Sequence, residues 1–581
     1  MEKKALYTLA AVVVAVIIVA AVAVVILTAP PQVQPPPPPP EPLAIELWYN
    51  NDGHYGDTED ELAQVLKQDI EGCGNITVTL RSDTWAVYRQ NWAAGRMPLF
   101  LLGWYPDYFD SDDYISPFLS IAGARSLGSF YKNATVDQWV TEEQTTTDPA
   151  VRADRFTKIQ NAMAEDVPYI PLFSGRAETA YVNGVQTVEL HPVVFKWFIV
   201  NKPGFSELNV STSDHIISLD PASAYDYFSI EVINQVFDTL LVYDWKNTTL
   251  LPGLATEIPT VANGGISADG KTYTYHLRPG VKFSDGTEFN ASVVKRSIDR
   301  TIRLDIGGSA AFLLYDVGAL GRDPTNANNT PPGTIEIVDP LTIRFHLSRP
   351  VSFFNDLMAF SVSAPVHWNY SATGEQPSTA GNVIGTGPYM MTDHQADSLV
   401  VLERNPYYYR PDLYAPAIPT IPVMDKVNIN IRASATALKN DIETKTVDVV
   451  YRTLTPTDLA DLQARQAALG ITVKLGASPQ IRYLVFNVNT DSTLAQVGQY
   501  LDKRVRQAIA YSVDRARIDS VVFNGQVEPL YSMIPPSMPY HSPVFQSRYG
   551  DHNCDAANAL LEPILTAQGA LEPASIIARD T

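Results

Sequence analysis

The chain has 581 residues, 45% of them hydrophobic and 18% charged, the composition of a folded protein of two to four domains and not of a disordered one. Its formal net charge of −21 excludes broad electrostatic binding to nucleic acid or to an anionic membrane surface. Acidity of this size serves solubility first, and favours cationic ligands second.

In chain order, Met1–Lys4 precede Ala5–Leu27, an uncharged apolar run long enough to cross a ~30 Å hydrocarbon core at about 1.5 Å per residue. Lys3 and Lys4 place residues 1–4 in the cytoplasm and the bulk of the chain outside. The run is longer than the ~7–15 residues of a signal-peptide core, and neither an A-x-A pattern nor a lipid-carrying cysteine follows. Residues 5–28 therefore read as one retained transmembrane helix in preference to a cleaved signal peptide. Residues 29–42 are a proline-rich stalk; without backbone N–H groups PPQVQPPPPPPEP forms polyproline II, about 40 Å long at ~3.1 Å per residue.

From residue 43 the pattern is α/β. LAIELWYN (43–50) and NITVTLRS (75–82) alternate like strands, and DTEDELAQVLKQDI (57–70) has helical apolar spacing. DTWAVYRQNWAAG opens on a cap and closes on glycine, as a helix does, and PLFLLGWY (98–105) is the continuous run of a buried parallel strand. RADRFTKIQNAMAED (152–166) is amphipathic. From about 205 the texture turns to short strands, among them TYTYHLRPGVKF, TIEIVDPLTIRFHLS and SLVVLERNPYYY, interrupted by helices such as 290–302 and 502–518. LRPGVKFSDGTEF reads as a hairpin with Pro-Gly and Asp-Gly turns. The acid-rich DSDDYISP (110–117) lacks the spacing of a calcium loop and reads as a solvated loop. Seven N-x-S/T sites, at Asn75, Asn133, Asn209, Asn247, Asn290, Asn328 and Asn369, fit an exposed surface protein.

Several long motifs stand out in order: LDPASAYDYFSIEVINQVFDTLLVYD (219–244), GKTYTYHLRPGVKFSDGTEFNASVVKRSIDR (270–300), IGTGPY (384–389), NPYYY (405–409), and YLVFN followed by DKRVRQAIAYSVDR (483–515). Together they closely resemble the oligopeptide- and dipeptide-binding family, the family 5 solute-binding proteins of ABC importers. The block that ends family members resembles the front of this chain, LAIELWYN through VPYIPLF, so the resemblance implies a circular permutant. The fold it implies is α/β, two-lobed and periplasmic-binding-protein-like (type II, large peptide-binding subclass), with a ligand cleft between lobes. Residues 43–174 would be the first part of lobe II, 175–204 the return to lobe I, 205–485 lobe I, and 486–581 the second part of lobe II. Cys73 and Cys554 would then fall within one lobe, either as a disulfide or as two unpaired thiols.

In the family a strand ending in Gly-Trp-x-x-Asp reaches the cleft, and its Asp pairs with the ligand's α-amino group. The matching residues here are Gly103, Trp104, Tyr105, Pro106 and Asp107. The resemblance assigns Asp107 the ammonium contact, and Gly103, Trp104 and Tyr105 the flat surface and backbone groups beside an extended peptide. Pro106 departs from the commonest pattern and removes a backbone donor. Tyr483 and Asn487 lie on a strand similar to the family's hinge-proximal one; Asn487 alternatively satisfies hinge backbone. Arg482 and Arg452 are candidates for the ligand carboxylate by neighbourhood alone.

The expected function is an extracytoplasmic, monomeric receptor, single-pass at the membrane, that captures di- or oligopeptides for an ABC permease and its ATPase. No catalytic, metal or cofactor site is expected, since no HExxH, G-x-S-x-G, Walker A or dinucleotide pattern occurs. The alternatives are an oligosaccharide or nickel-complex receptor, or a surface or sensory protein that keeps the fold without transport.

Overall fold

The apolar runs of the sequence become strands of one large mixed sheet in the computed structural model, which describes residues 11–18 and 41–577 apart from 53, 56–57, 308, 324 and 326–329. The chain divides into two units, Met1–Glu41 with Ile564–Thr581, and Pro42–Pro563. In the first, residues 11–18 are helical and exposed. Among the described residues no helix is long and apolar enough to cross a membrane. The structure gives the expected anchor no support; the rest of 5–28 and nearly all of the 29–42 stalk lie outside the described residues.

In the second unit the strands are β1 (Leu43–Asn50), β2 (Ile76–Asp83), β3 (Leu99–Trp104), β4 (Tyr169–Val182), β5 (Glu207–Thr212), β6 (Leu241–Tyr243), β7 (Leu250–Pro252) and β8 (Thr272–His276). They continue with β9 (Ile335–Asp339), β10 (Thr342–His346), β11 (Tyr389–Gln395), β12 (Leu399–Arg404), β13 (Lys426–Ile431), β14 (Val449–Tyr451), β15 (Ile471–Phe486) and β16 (Glu528–Pro529). The large sheet runs β11-β12-β13-β5-β14-β4-β15-β3-β1-β2, with β16 added on β4. A three-stranded sheet (β8-β10-β9) and the β6–β7 pair stand apart from it.

At one end β1 pairs in parallel with β2 and β3, as helix-connected strands must, since a parallel pair needs a crossover. Helices Glu59–Gly72 and Trp85–Ala93 supply the crossovers. Leu99, Phe100 and Leu101 have no exposed surface, which explains why β3 is a continuous apolar run. The sheet's centre is antiparallel. β15 lies against β4 from Ile471↔Val182 to Val485↔Tyr169, and its Ile481–Phe486 stretch also pairs with β3 on the other edge. The β15–β4 register breaks between Ala477 and Ile481. There the buried Ser174 hydroxyl donates to the carbonyls of Ser478 (2.8 Å) and Gln480 (3.2 Å), satisfying groups the ladder leaves free.

The motifs beyond residue 205 are architectural. A Cβ on Gly385 would stand 2.1 Å from the Val236 carbonyl oxygen, so IGTGPY needs glycine for close backbone approach, and the Gly387 N–H donates to that same oxygen at 2.8 Å. The expected hairpin at 277–289 forms a tight turn, with Phe283 N–H donating to the Thr287 carbonyl at 2.8 Å. Two expectations differ in extent. The helix expected over 502–518 is two, Lys503–Ser512 and Arg515–Val522, because the Asp514 side chain accepts from the Arg517 N–H and starts a new helix. The short C-terminal helix is longer, Cys554–Ile577. Asn133 and Asn290, two of the N-x-S/T sites, spend their side-chain oxygens as helix N-caps.

Residues from the two ends of the second unit meet. Cys73 and Cys554 are disulfide-bonded, with Cα atoms 4.8 Å apart, which resolves the alternative left open by the sequence. Asp69 takes an ion pair from Arg517 and a hydrogen bond from the Asp514 N–H at 3.2 Å. Phe156 stacks on Tyr540 at 4.6 Å, and the Gln160 side-chain oxygen accepts from the Ser532 hydroxyl (2.7 Å) and the Ser542 N–H (3.1 Å). The disulfide closes a very long loop, so opening it releases much denatured-state freedom. Replacing both cysteines by serine is expected to lower unfolding free energy by about 2–4 kcal/mol, read by denaturant titration, with the wild type in reductant showing the same loss.

Candidate ligand-binding site

β3 ends at Trp104, and the chain beyond it turns past Tyr105, Pro106 and Asp107 into the space between 43–174 and 205–485. Gly103 is required there. A Cβ on it would lie 2.8 Å from the Tyr55 ring and 2.9 Å from Arg482 Cδ, so the bare backbone makes room for both side chains. Two neighbouring cavities result. The larger, about 550 Å³, is lined by Trp85, Arg89, Trp92, Trp104, Gln480 and Tyr483 among others. The smaller, about 210 Å³, holds Asp107 among Phe109, Val193, Val194, Ile230 and Phe360. Tyr105 and Tyr225 line both. The larger volume is that of a small-molecule site, and both linings are mostly apolar with few polar groups.

The structure brings five of the six expected site residues to this space. Gly103, Trp104, Tyr105 and Tyr483 line the larger cavity and Asp107 the smaller. Trp104 is fixed by its indole N–H toward Asp113 (3.4 Å) and by an edge contact with Phe118 (5.2 Å). Tyr105 donates to the Val193 carbonyl at 3.1 Å, tying the β3 end to the opposite wall. Tyr483 has no exposed surface, and its hydroxyl has no hydrogen-bond partner. Asn487 lines neither cavity; its amide donates to the Gly95 carbonyl (2.9 Å) and its oxygen accepts from the Asn489 N–H (3.1 Å). Arg482 and Arg452 are spent internally. Arg482 pairs with Glu59 at 2.7 Å under the Tyr55 ring, and Arg452 pairs with Asp214 at 3.3 Å over the Tyr227 ring.

Asp107 has no cationic partner among the described residues; its carboxylate accepts from the Tyr225 hydroxyl, which comes from across the cleft. It keeps some surface open to the cavity, yet its apolar surroundings push its pKa up to about 6 by desolvation, against the lowering effect of the Tyr225 bond. The neighbouring 110–114 turn is not the solvated loop expected. Ser111, Asp112 and Asp113 are buried, and Asp110 makes a bidentate pair with Arg152 (2.5 and 2.8 Å), which also binds Glu143 at 3.1 Å. The spacing of acids showed no partner because Arg152 lies on a helix some forty residues away. Burial raises the pKa of Asp112, Asp113, Glu143 and Asp356.

Sequence reasoning did not single out Trp85, Arg89, Trp92 or Tyr225. The first three sit at i, i+4 and i+7 of helix Trp85–Ala93, which puts them on one face. That spacing was readable, but it does not distinguish a face turned to a cleft from one turned to a core.

Comparison with known proteins bears on this geometry. Residues 249–570 match the family of bacterial extracellular solute-binding proteins, family 5 Middle. The glutathione-binding protein GsiB of Escherichia coli O1:K1 / APEC is 27% identical over 337 residues, 58% of this chain and 57% of that protein. GsiB of Salmonella typhi is 28% identical over 334 residues, 57% of this chain and 56% of its own. This chain thus spans somewhat over half the length of these curated relatives. Among solved structures, the Escherichia coli murein tripeptide binding protein MppA matches with a TM-score of 0.45 and 21% identity, over 63% of this chain and 66% of that one. Clavulanic acid biosynthesis oligopeptide binding protein 2 matches at 0.47 and 23%, over 69% and 68%.

The buried acids carry a pH signature. Desolvation raises Glu178 and Asp238 to about 7 and Glu231 to about 8. A carboxyl whose folded pKa lies above its unfolded one binds more protons when folded, so its contribution is full at low pH and lost as pH rises through the folded value. The buried His191, with its pKa lowered by desolvation, acts in the opposite sense but only below about 6.5. Melting temperature is therefore expected to fall between pH 6.5 and 8.5, and Glu231→Gln to flatten that fall; a rise over this window contradicts the assignment.

Proposed function

The chain belongs to the family 5 extracellular solute-binding proteins, and we propose that it captures short peptides between two lobes and delivers them to an ABC permease outside the cytoplasm. Its fold is the two-lobed α/β fold of such proteins, and its task is binding and not catalysis. The observation that carries the peptide reading is Asp107, an ionisable carboxylate in an apolar cavity with no cation beside it among the described residues. An ammonium is the group that best complements it. In a closed cleft the effective dielectric is low, so such a charge-assisted bond gains strength. GsiB, a relative of this chain, is named for its binding of glutathione.

On this reading 205–485 forms one lobe, and 43–174 with 486–563 forms the other from both ends of the chain, as in a circular permutant. The Cys73–Cys554 bond and the contacts of Asp69, Phe156 and Gln160 with the 514–542 segment support it. A membrane anchor at 5–28 would keep the receptor near its permease. Permease and ATPase subunits are the partners that fit.

A second reading, an oligosaccharide receptor, is favoured by one observation. Trp85, Trp92 and Trp104 all line the larger cavity, and tryptophan faces stack on sugar rings as readily as on aromatic side chains. The two readings separate on Asp107. A ligand that binds only the native state raises the melting temperature by mass action, about 2.7 kcal/mol of stability at a hundredfold excess over Kd. Peptide pools are expected to stabilise the full chain at pH 7.5, and Asp107→Asn to remove most of that effect. Below pH 6 a peptide is expected to bind about tenfold more weakly per unit, as Asp107 takes up its proton. Stabilisation by oligosaccharide, unchanged in Asp107→Asn, would establish the second reading instead.

A further inference from the structure

A group of possible metal ligands lies away from the cleft, where the two ends of the second unit meet. Cys73 ends helix Glu59–Gly72, and Cys554 opens helix Cys554–Ile577. His552 stands two residues before Cys554, and its Nε2 lies 3.7 Å from the Cys554 Sγ. The two sulfurs and a ring nitrogen of His552 all fall within 4.8 Å of one another. No CxxC spacing marks the group in the sequence, because its members come from positions 73, 552 and 554 and converge only in the fold.

The histidine is aimed at the sulfurs. Its Nδ1 meets the Ser512 carbonyl at 3.1 Å, and a carbonyl only accepts, so Nδ1 carries the proton and Nε2 is left with its lone pair. A ring N–H given to a backbone carbonyl is the arrangement that orients metal-binding histidines. The His552 backbone N–H donates to the Val513 carbonyl at 3.0 Å, which fixes the chain beneath the ring. The cysteine-bearing segments are also held together without the disulfide. The Asn558 amide donates to the Cys73 carbonyl at 2.9 Å, and its oxygen accepts from the Asn75 amide at 2.7 Å. Cys73 is buried, Cys554 half-buried and His552 exposed, so an ion can enter from the histidine side. With Zn–S bonds of ~2.3 Å and Zn–N of ~2.0 Å, a tetrahedral ion sets sulfur and nitrogen about 3.6 Å apart and two sulfurs about 3.8 Å apart. The 3.7 Å between Nε2 and the Cys554 sulfur already has the first spacing. Breaking the bond between the sulfurs lets them reach the second.

We propose that, once the disulfide is reduced, Cys73, Cys554 and His552 bind a zinc ion, so that the junction of 43–174 with 486–563 is closed by a covalent bond when oxidised and by a metal when reduced. A disulfide offers no thiolate, so the two states exclude each other. The reduction takes two electrons, which a trialkylphosphine supplies. Phosphorus attacks one sulfur and the other leaves as a thiolate. Water then gives its oxygen to phosphorus and its protons to the sulfurs, so two thiols and a phosphine oxide result. Zinc displaces both thiol protons into solvent. The free N–H groups at the start of helix Cys554–Ile577 favour the Cys554 thiolate, and the ion's double charge offsets the less favourable helix end at Cys73. Three protein ligands leave a fourth position to water. The inference is independent of the peptide reading, since none of these three residues is among those lining the two cavities.

Calorimetric titration of the full chain with zinc chloride, with and without the phosphine, tests this. Reduced wild type is expected to bind one zinc ion per chain with release of protons, and oxidised wild type to bind none with comparable affinity. Zinc is expected to raise the melting temperature of the reduced protein and leave that of the oxidised protein unchanged, because an ion that binds only one form stabilises only that form. His552→Asn removes the imidazole and keeps a residue type that tolerates the left-handed backbone found there, at φ 48°. It is expected to weaken zinc binding by about tenfold or more, while the oxidised variant melts as wild type does. Cobalt(II) in place of zinc is expected to give the visible bands of a tetrahedral ion and a thiolate charge-transfer band in reduced wild type, and neither in the oxidised protein. Zinc bound equally by oxidised and reduced protein, zinc binding undiminished in His552→Asn, or a reduced chain that zinc does not stabilise would each overturn the proposal.

Discussion

One strand, β15, ties β4 to the strand that delivers the candidate site, and its own Tyr483 lines the larger cavity. Through 471–477 it pairs with β4 alone, and through 481–486 it is sandwiched between β4 and β3. A central strand must have its N–H and C=O groups paired on both edges, so the two halves cannot separate there without exposing a ladder to water. The register break between Ala477 and Ile481 is where bending costs least, because Ser174 and not the ladder already holds those carbonyls. On the proposed function, motion about that break would open and close the space beside Gly103, Tyr105 and Asp107 while leaving each half intact. Domain closure around a ligand is of this hinged kind, in which a few residues absorb the change.

The second constraint is electrostatic. Asp110, Asp112, Glu143 and Asp356 gather around Arg152, and burial raises the pKa of Asp112, Glu143 and Asp356. Arg152 spends its charge on Asp110 and Glu143, so none is left for Asp107 on the cleft side. The stacked Tyr108–Phe353 pair (4.7 Å) and the Ser352 N–H bonded to the Gln144 carbonyl (2.8 Å) carry the same region across to 205–485.

Much of this was legible in the sequence. The run at 98–105 gave a buried strand because both of its faces are covered, and the helix read from Asn290 starts there because capping is local chemistry. Local signals carry no information about partners distant in the chain. The pairing of Arg152 with Asp110, which turns an apparently solvated loop into a buried turn, depends on a helix that packs back only once the sheet forms. Arg482 is a similar case. From sequence it neighbours the cleft strand, but the missing side chain of Gly103 lets it fold over β3 to Glu59, which removes it from the ligand's reach. Residues 103–107 were readable as a candidate site through the family's motif. The place of Arg89 and Tyr225 beside the cavities was not, because it depends on which face of a helix or loop the assembled fold exposes.

The most direct test of ligand capture by closure is a distance measured across the cleft. The protein has no free cysteine among its two, so cysteines placed at the exposed Ile121 and Val338 can be spin-labelled without competition. Ile121 lies in the 43–174 segment and Val338 in 205–485. The account predicts that a peptide which raises the melting temperature also shortens and narrows the label-to-label distance distribution, and that Asp107→Asn abolishes both effects together. A peptide that stabilises the protein while the distribution stays unchanged would contradict capture by closure.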